Sequence, residues 1–304
     1  MIVTDHPAIS VVIVNYHSEE ALTRCLRSID AQPARAEVVI ADNGSTEENT
    51  ARLKARYPAA CWLPMGGNAG FGAACNAAAR QAQGSKLLFL NPDSEVWPDA
   101  LERLIAILDS PESGRRILGC RIYNPDGSAQ LSCRRFPDWR TPFAARFSLI
   151  TRLFPRNTWS RNYLMTDFDR ATPTRADWVS GAAMGARRET FEELHGFDPA
   201  FFLYFEDVDL CRRGRERGID TWYVPDVRVT HLIGGSSSQA PVRALWLRHQ
   251  SMWRYYRRYH GRPVAELLAG AAIFARFFVL AAGELLNGWT RIHTTQTEPS
   301  GRAD

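Results

Sequence analysis

Short apolar runs alternate with amphipathic stretches along the first third of the chain. Ile9 to Val14 (Ile-Ser-Val-Val-Ile-Val) is β-rich and nearly all apolar, as a central parallel strand buried on both faces would be. Val38 to Ala41, Cys61 to Leu63 and Leu87 to Leu90 repeat the pattern on a shorter scale. Between them, the spacing predicts helices over Glu19–Ile29, Glu47–Tyr57, Ala73–Ala82 and Pro98–Leu108. Leu22, Leu26 and Ile29 share one face of the first, and Ser18 is its N-cap. Strands alternating with helices predict a doubly wound, mostly parallel α/β sheet. Right-handed crossovers gather the loops of Asn15, Asp42, Asn68 and Asp93 along one sheet edge, where open α/β sheets bind ligands.

The pattern changes after Gly114. Arg116–Ile122 and Ser128–Cys133, joined by Asn124-Pro125-Asp126-Gly127, read as a β-hairpin. Phe136 to Leu164 mixes arginines (140, 146, 152, 156, 161) with Phe143, Phe147, Leu149, Ile150, Leu153, Phe154 and Trp159, a segment suited to a membrane surface or an acceptor. Trp178 to Gly185 is strand-like with small residues, and Glu189–Leu194 is a short helix ending at Gly196. The aromatic run Phe201 to Phe205 delivers Glu206-Asp207-Val208-Asp209 to the start of a helix ending near Gly218. Ile219–Val224 and Val227–Thr230 are further strands, followed by His231 and a Gly/Ser loop at 234–238.

No acid lies between Asp226 and Glu266. Seven arginines, among them Arg243, Arg248, Arg254 and Arg257, interleave there with Trp246, Trp253, Tyr255, Tyr256 and Tyr259. That mixture suits an anionic lipid interface, and no nucleic-acid recognition motif accompanies it. Val264 to Leu286 is mostly apolar and helical but holds Arg276, and a central arginine costs about 2.5–3.5 kcal/mol to insert. The expectation is a helix lying in the interface or packed on the domain, then a disordered tail from Thr294. The organisation expected is therefore a sheet domain over 1–240, with 136–165 as its basic–aromatic insertion, and a helical extension over 241–304.

Composition narrows the reading. The 304 residues are 45% apolar and 23% charged, as in an ordinary globular protein large enough for a sizeable core. A formal charge of +4 demands no nucleic-acid partner. The six cysteines show no Cys-x-x-Cys pair, which fits a reducing cytosol better than a disulfide scaffold or zinc site. The N-terminus has no signal-peptide pattern. Neither Gly-x-Gly-x-x-Gly after the first strand nor a P-loop is present.

Chemistry concentrates at two acidic places. Asp93 and Glu95, spaced i, i+2 beyond the Leu87 strand, could share a hard cation such as Mg²⁺ or Mn²⁺ that keeps substrate phosphates in its shell. Glu206, Asp207 and Asp209 have a plain role as first-turn acids on a helix dipole, worth about 0.3–1 kcal/mol each. An aromatic wall beside a carboxylate is also how a general base acquires a tuned pKa. His231, after a strand and before a Gly/Ser loop, is a structural histidine, a metal ligand or a phosphate donor.

These segments together resemble one family. Val11-Val12-Ile13-Val14-Asn15-Tyr16, Ala41-Asp42-Asn43-Gly44-Ser45, Asn68-Ala69-Gly70-Phe71-Gly72 with Asn76, Asn91-Pro92-Asp93, Gly196-Phe197-Asp198 with Phe205-Glu206-Asp207-Val208-Asp209, and Val229-Thr230-His231 occur in the order and spacing of the inverting GT-A glycosyltransferases of family 2, rhamnosyltransferase-like branch. The resemblance spans Ser10 to about His260. It implies a GT-A (Rossmann-like) fold and a nucleotide-sugar donor, dTDP- or UDP-linked, with rhamnose favoured. It places that donor on Val14, Asn15, Tyr16, Asp42, Asn68, Phe71, Asn76 and Asp93. It implies a divalent metal on Asp93 and Glu95 with His231 as third ligand, and Asp207 as catalytic base with Glu206 close enough to compete for the role. The acceptor implied is a glycan, lipid-linked (polyprenyl) or on the cell surface, met by a cytoplasmic enzyme peripheral on the inner membrane face; homo-oligomerisation is compatible with this reading. A sugar-nucleotide pyrophosphorylase or a non-catalytic, membrane-docked nucleotide-sugar binder are the alternatives.

Overall fold

The computed structural model describes residues 7–111, 114–138, 141, 153, 154, 157–232, 240–261 and 263–295, with side chains of the last helix described over 266–285. Its first third is the alternation read from the sequence: β1 (Ile9–Asn15), α1 (Glu19–Asp30), β2 (Glu37–Asp42), α2 (Glu47–Arg56), β3 (Cys61–Pro64), α3 (Phe71–Gln81) and β4 (Lys86–Leu90). β3, β2, β1 and β4 pair in that order, all parallel. Alternate residues of the strands feed two cores, one on each sheet face. Val12, Val14, Val39 and Phe89 meet α3, while Val11, Ile13, Ile40 and Leu88 meet Leu22 and Leu26 of α1. Ser18 is the N-cap of α1, but its hydroxyl donates to the Tyr16 carbonyl rather than capping the helix.

Beyond β4 the sheet becomes mixed. β5 (Ser94–Val96) leads to α4 (Ala100–Asp109) and then β6 (Arg116–Tyr123). After β7 (Cys133–Arg134), α5 (Thr158–Leu164), β8 (Thr174–Ala176) and β9 (Trp178–Val179) come β10 (Ala183–Arg187), α6 (Arg188–Glu193), α7 (Glu206–Glu216) and β11 (Asp220–His231). The full order is β3-β2-β1-β4-β10-β6-β11-β5, with β8 also on β11 and a small second sheet of β7 and β9. β10 runs antiparallel between β4 and β6.

Three expectations change. Pro92 does end β4, yet the chain re-enters the sheet two residues later as β5, on the far edge against β11. The expected hairpin survives only as a Tyr123–Ala129 bridge: β6 pairs β10 and β11, and β7 pairs β9. The two strands expected around Pro225 are one strand, β11, with a register shift between Val224 and Arg228 that absorbs the proline.

α8 (Pro241–His260) and α9 (Pro263–Thr295) follow the sheet. Part of the basic, aromatic face of α8 is a docking face for the loop before α7. Ser251 donates to the Leu203 carbonyl (3.0 Å), Arg254 to the Ala200 carbonyl, and Arg258 joins Asp198 (2.6 Å) to Asp209 (2.8 Å). Much of the basic–aromatic segment (139–140, 142–152, 155–156), with Arg140, Phe143, Arg146, Phe147, Leu149, Ile150, Arg152 and Arg156, lies outside the described residues, as do the 233–239 loop and the tail after 295.

Candidate active site

Polar loops at the ends of β1 and β2 form a closed set. The Asn15 amide donates to Ser45 (2.8 Å), and Asp42 accepts from the Ser45 N–H (3.1 Å) and from the Thr50 hydroxyl. Asn43, quoted above within a motif but given no role there, ties this loop to the glycine-rich one: its Oδ1 accepts from Ala69 N–H (2.9 Å) and its Nδ2 donates to Asn68 Oδ1 (3.1 Å). Gly70 opens α3 at φ +89, and a Cβ there would lie 2.6 Å from the Phe202 carbonyl, so only glycine lets the two loops touch. Phe71 N–H donates to that carbonyl.

The residues expected at the donor fall into three groups. Asn15, Asp42 and Asn68 stand together, with half-buried Tyr16 packed edge-on to His17. Val14 buries its side chain in the core and offers the strand end only main chain. Asn76 uses both ends of its amide on Phe197, donating to the carbonyl (2.7 Å) and accepting from the N–H (2.9 Å). It clamps the loop before α7 instead of facing a ligand.

His231 stands at the end of β11. Gln130 Nε2 donates to the His231 carbonyl (2.7 Å), which turns Gln130 Oε1 toward ring Nδ1 at 3.2 Å. Nδ1 is therefore the ring donor and Nε2 keeps its lone pair. That lone pair accepts from the Asn91 amide Nδ2 at 3.2 Å, and Asp93 Oδ1 lies at 3.2 Å from the same nitrogen. Two electron-rich atoms at that separation favour a cation beside them. Glu95 does not join them. In β5 it pairs with Thr230, while His231 pairs with Ser94, so the period of two puts Glu95 on the opposite face, where it meets Arg24 (3.4 Å). The i, i+2 pair brought to His231 is Asn91 and Asp93, not Asp93 and Glu95.

The first-turn acids of α7 separate in three directions. Asp209, fully buried, is held by Arg213 (2.7 Å), Arg258 (2.8 Å) and Tyr259 (2.8 Å) and is structural. Glu206 is buried beside α3 with Oε2 unpartnered; burial, and then the neighbouring Asp207 charge, push its carboxyl well above its ordinary value. Asp207 accepts from Gly181 N–H (2.9 Å) and from Val208 N–H (2.8 Å). Burial raises its pKa too, against these two donors and the Arg134 charge. It lies deep yet keeps accessible surface, as a base must. Tyr204 and Phe205 precede it at φ 66 and 70, a strained approach pinned by the Phe202 and Leu203 carbonyl contacts.

Gly181-Ala182 joins the two halves. Gly181 donates to Asp207, and the Ala182 carbonyl accepts from Asn91 N–H (3.0 Å). The His231 group and Asp207 thus flank one two-residue connection. Sequence spacing carried no sign of this, since Gln130 and His231 are 101 positions apart.

Residues 6–262 match the family described as glycosyltransferase like family 2. The chain is 31% identical over 258 residues to N-acetylglucosaminyl-diphospho-decaprenol L-rhamnosyltransferase of Mycobacterium tuberculosis, covering 80% of this chain and 82% of that one. It is 26% identical to Rhamnosyltransferase WbbL of Escherichia coli over 82% of this chain and 92% of the other. Among solved structures, the mannosyltransferase PcManGT of Pyrobaculum calidifontis with GDP-Man and Mn²⁺ shares the fold at TM-score 0.55 and 18% identity, over 94% of this chain and 81% of that one. GalNAc-T7 with UDP, GalNAc and Mn²⁺ does so at 0.56 and 19%, over 75% and 44%. The chain belongs to the family-2-like glycosyltransferases, hexosyl-transferring enzymes built on the GT-A fold.

Proposed function

We propose that this enzyme moves a sugar, rhamnose by its similarity to the two rhamnosyltransferases, from a dTDP- or UDP-linked donor to a polyprenyl-linked glycan, with inversion at the anomeric carbon. The observation that carries the reading is the flanking of Gly181-Ala182 by Asp207 on one side and the Asn91–Asp93–His231 group on the other. Asn15, Tyr16, Asp42, Asn68 and Phe71 form the donor side, with Asn43 locking the loops. Asp207 takes the proton of the acceptor hydroxyl. The acceptor oxygen bonds to the anomeric carbon as the bond to the diphosphate oxygen breaks, and that electron pair leaves with the nucleotide.

Asp93 and His231 fit a divalent cation, because the histidine lone pair and the carboxylate converge. No cluster of three acidic, histidine or cysteine ligands exists among the described residues, which suits an ion that keeps waters and substrate phosphates in its shell. Bound there, Mg²⁺ or Mn²⁺ supplies charge neutralisation to the leaving diphosphate.

The helices after residue 240 add a membrane-facing extension that also packs on the loop before α7. α9 presents Leu267, Leu268, Phe278, Val279 and Leu285 to the outside, at 65–75% exposure, while Ile273 and Phe277 of its other face pack inward. Glu266–Leu285 is long and apolar enough to cross a membrane, but Arg276 at its centre favours a helix lying in the inner face of the bilayer.

The test is transfer from dTDP-rhamnose and UDP-sugars to a short-chain N-acetylglucosaminyl-diphospho-prenol, with Mn²⁺ or with EDTA. The expected product carries the inverted anomeric configuration by NMR and forms only with metal. Absence of transfer from every donor, or a retained configuration, would overturn the reading.

A further inference from the structure

Three arginines with no carboxylate at ion-pair distance among the described residues gather on the Asp207 side: Arg134 of β7, Arg248 of α8 and Arg276 of α9. Arg134 hydrogen-bonds the half-buried Tyr163 of α5, lies 5.2 Å over the Trp178 ring and keeps a buried Nε without a partner. Arg248 sits 4.5 Å over the ring of Tyr204, on the strained loop that presents Asp207. Half-buried Arg276 faces Arg248 and Tyr163 from the inward side of α9. Tyr163 and Arg134 both lie within electrostatic reach of Asp207. Neighbouring arginines differ: Arg135 has Asp177 (3.5 Å), Arg161 has Asp167 (2.9 Å) and Arg257 has Glu266 (2.6 Å). Separate elements thus bring three like charges to one side of the site, with Arg134 and Arg276 half-buried and Arg248 exposed, and a bound anion relieves their mutual repulsion.

We propose that Arg134, Arg248 and Arg276, with the Tyr163 hydroxyl, bind the diphosphate of the lipid-linked acceptor. The placement matches the chemistry of such a molecule. Its chain can follow the apolar outer face of α9, its diphosphate meets the arginine on the inner face of the same helix, and its first sugar reaches Asp207. Arginine forks suit phosphate oxygens in particular. The site lies on the Asp207 side, so it is separate from the donor diphosphate at Asp93 and His231. The proposal rests on the reading of the chain as a transferase to a lipid-linked acceptor.

Binding is measured by calorimetry in EDTA, without donor or turnover, using inorganic pyrophosphate and then farnesyl diphosphate. Wild type binds both. Arg276→Gln and Arg248→Gln each weaken them about tenfold or more, the value of one charge-assisted hydrogen bond. Arg257→Gln, which breaks a paired arginine on α8, leaves them unchanged. Arg276→Lys, which keeps the charge, covers the case in which the glutamine variant fails to fold, and retains part of the binding. No binding by wild type, or equal binding by Arg276→Gln and Arg257→Gln, would overturn the proposal. Sedimentation with phosphatidylglycerol vesicles separates a headgroup site from an acceptor site: an equal loss there for Arg276→Gln would also overturn it. Farnesyl diphosphate binding with these losses, but no sugar transfer by wild type, would place the fault in the proposed reaction and leave the arginine site standing.

Discussion

The proposed donor and acceptor halves of the site treat polar groups in opposite ways. At the ends of β1 and β2, Asn15, Asp42, Asn43 and Asn68 bond to one another and to nearby main chain. The set is neutral apart from Asp42, and of its side-chain atoms the buried Asn15 Oδ1 is left without a partner. Around Asp207, two carboxylates are pushed toward their neutral forms by burial, and three arginines have no carboxylate at ion-pair distance among the described residues. A mutually bonded half holds shape, whereas an unsatisfied half stores charge for the reaction to use.

The comparison breaks most visibly at Asp207. Asp207→Asn should lower turnover about 10²–10⁴-fold while nucleotide binding by calorimetry stays near wild type. Because its folded pKa is raised, wild-type turnover should also fall on the acid side at a pH above the ordinary aspartate value, as the base takes up its proton. Asn43→Ala should act on the other half. Leaving Ala69 N–H without its acceptor, and Asn68 Oδ1 with Gly70 N–H alone, should cost about 1–3 kcal/mol in denaturant unfolding and raise the donor KM with little change in kcat.

Glu206 sharpens the contrast by its titration. Its folded pKa is raised, so the folded state holds a proton that the unfolded chain releases above about 4.5. Stability should therefore fall as pH rises from that value toward the raised one, by up to about 1.4 kcal/mol per pH unit, and Glu206→Gln should remove the slope in unfolding measured against pH. The smallest effect belongs to Glu95. Its exposed pair with Arg24 is worth about 0–1 kcal/mol, and Glu95→Ala should keep metal-dependent turnover that Asp93→Ala loses. Loss of that turnover in Glu95→Ala would return Glu95 to the metal.

The parallel half was legible in the sequence to within about two residues, because strands buried on both faces must be continuously apolar and helices that cover them must repeat at helical spacing. Local polar punctuation likewise marked Asn15, Asp42, Asn68 and Asp93 at strand ends, and Asp207 at a helix start. The partners of those residues were decided elsewhere. A strand pairing, not a spacing, turned Glu95 away from His231 and brought Asn91 and Gln130 to it. Likewise the fates of Glu206, Asp207 and Asp209 look identical along the chain and differ only through Gly181, Arg258 and Tyr259, which come from other elements. Local patterning sets which backbone each segment adopts, since that depends on neighbours within a few residues. Side-chain chemistry depends on what long-range packing places within a few ångströms, and on the burial that follows, so only the tertiary structure tells a helix-capping acid from a buried ion pair or a base.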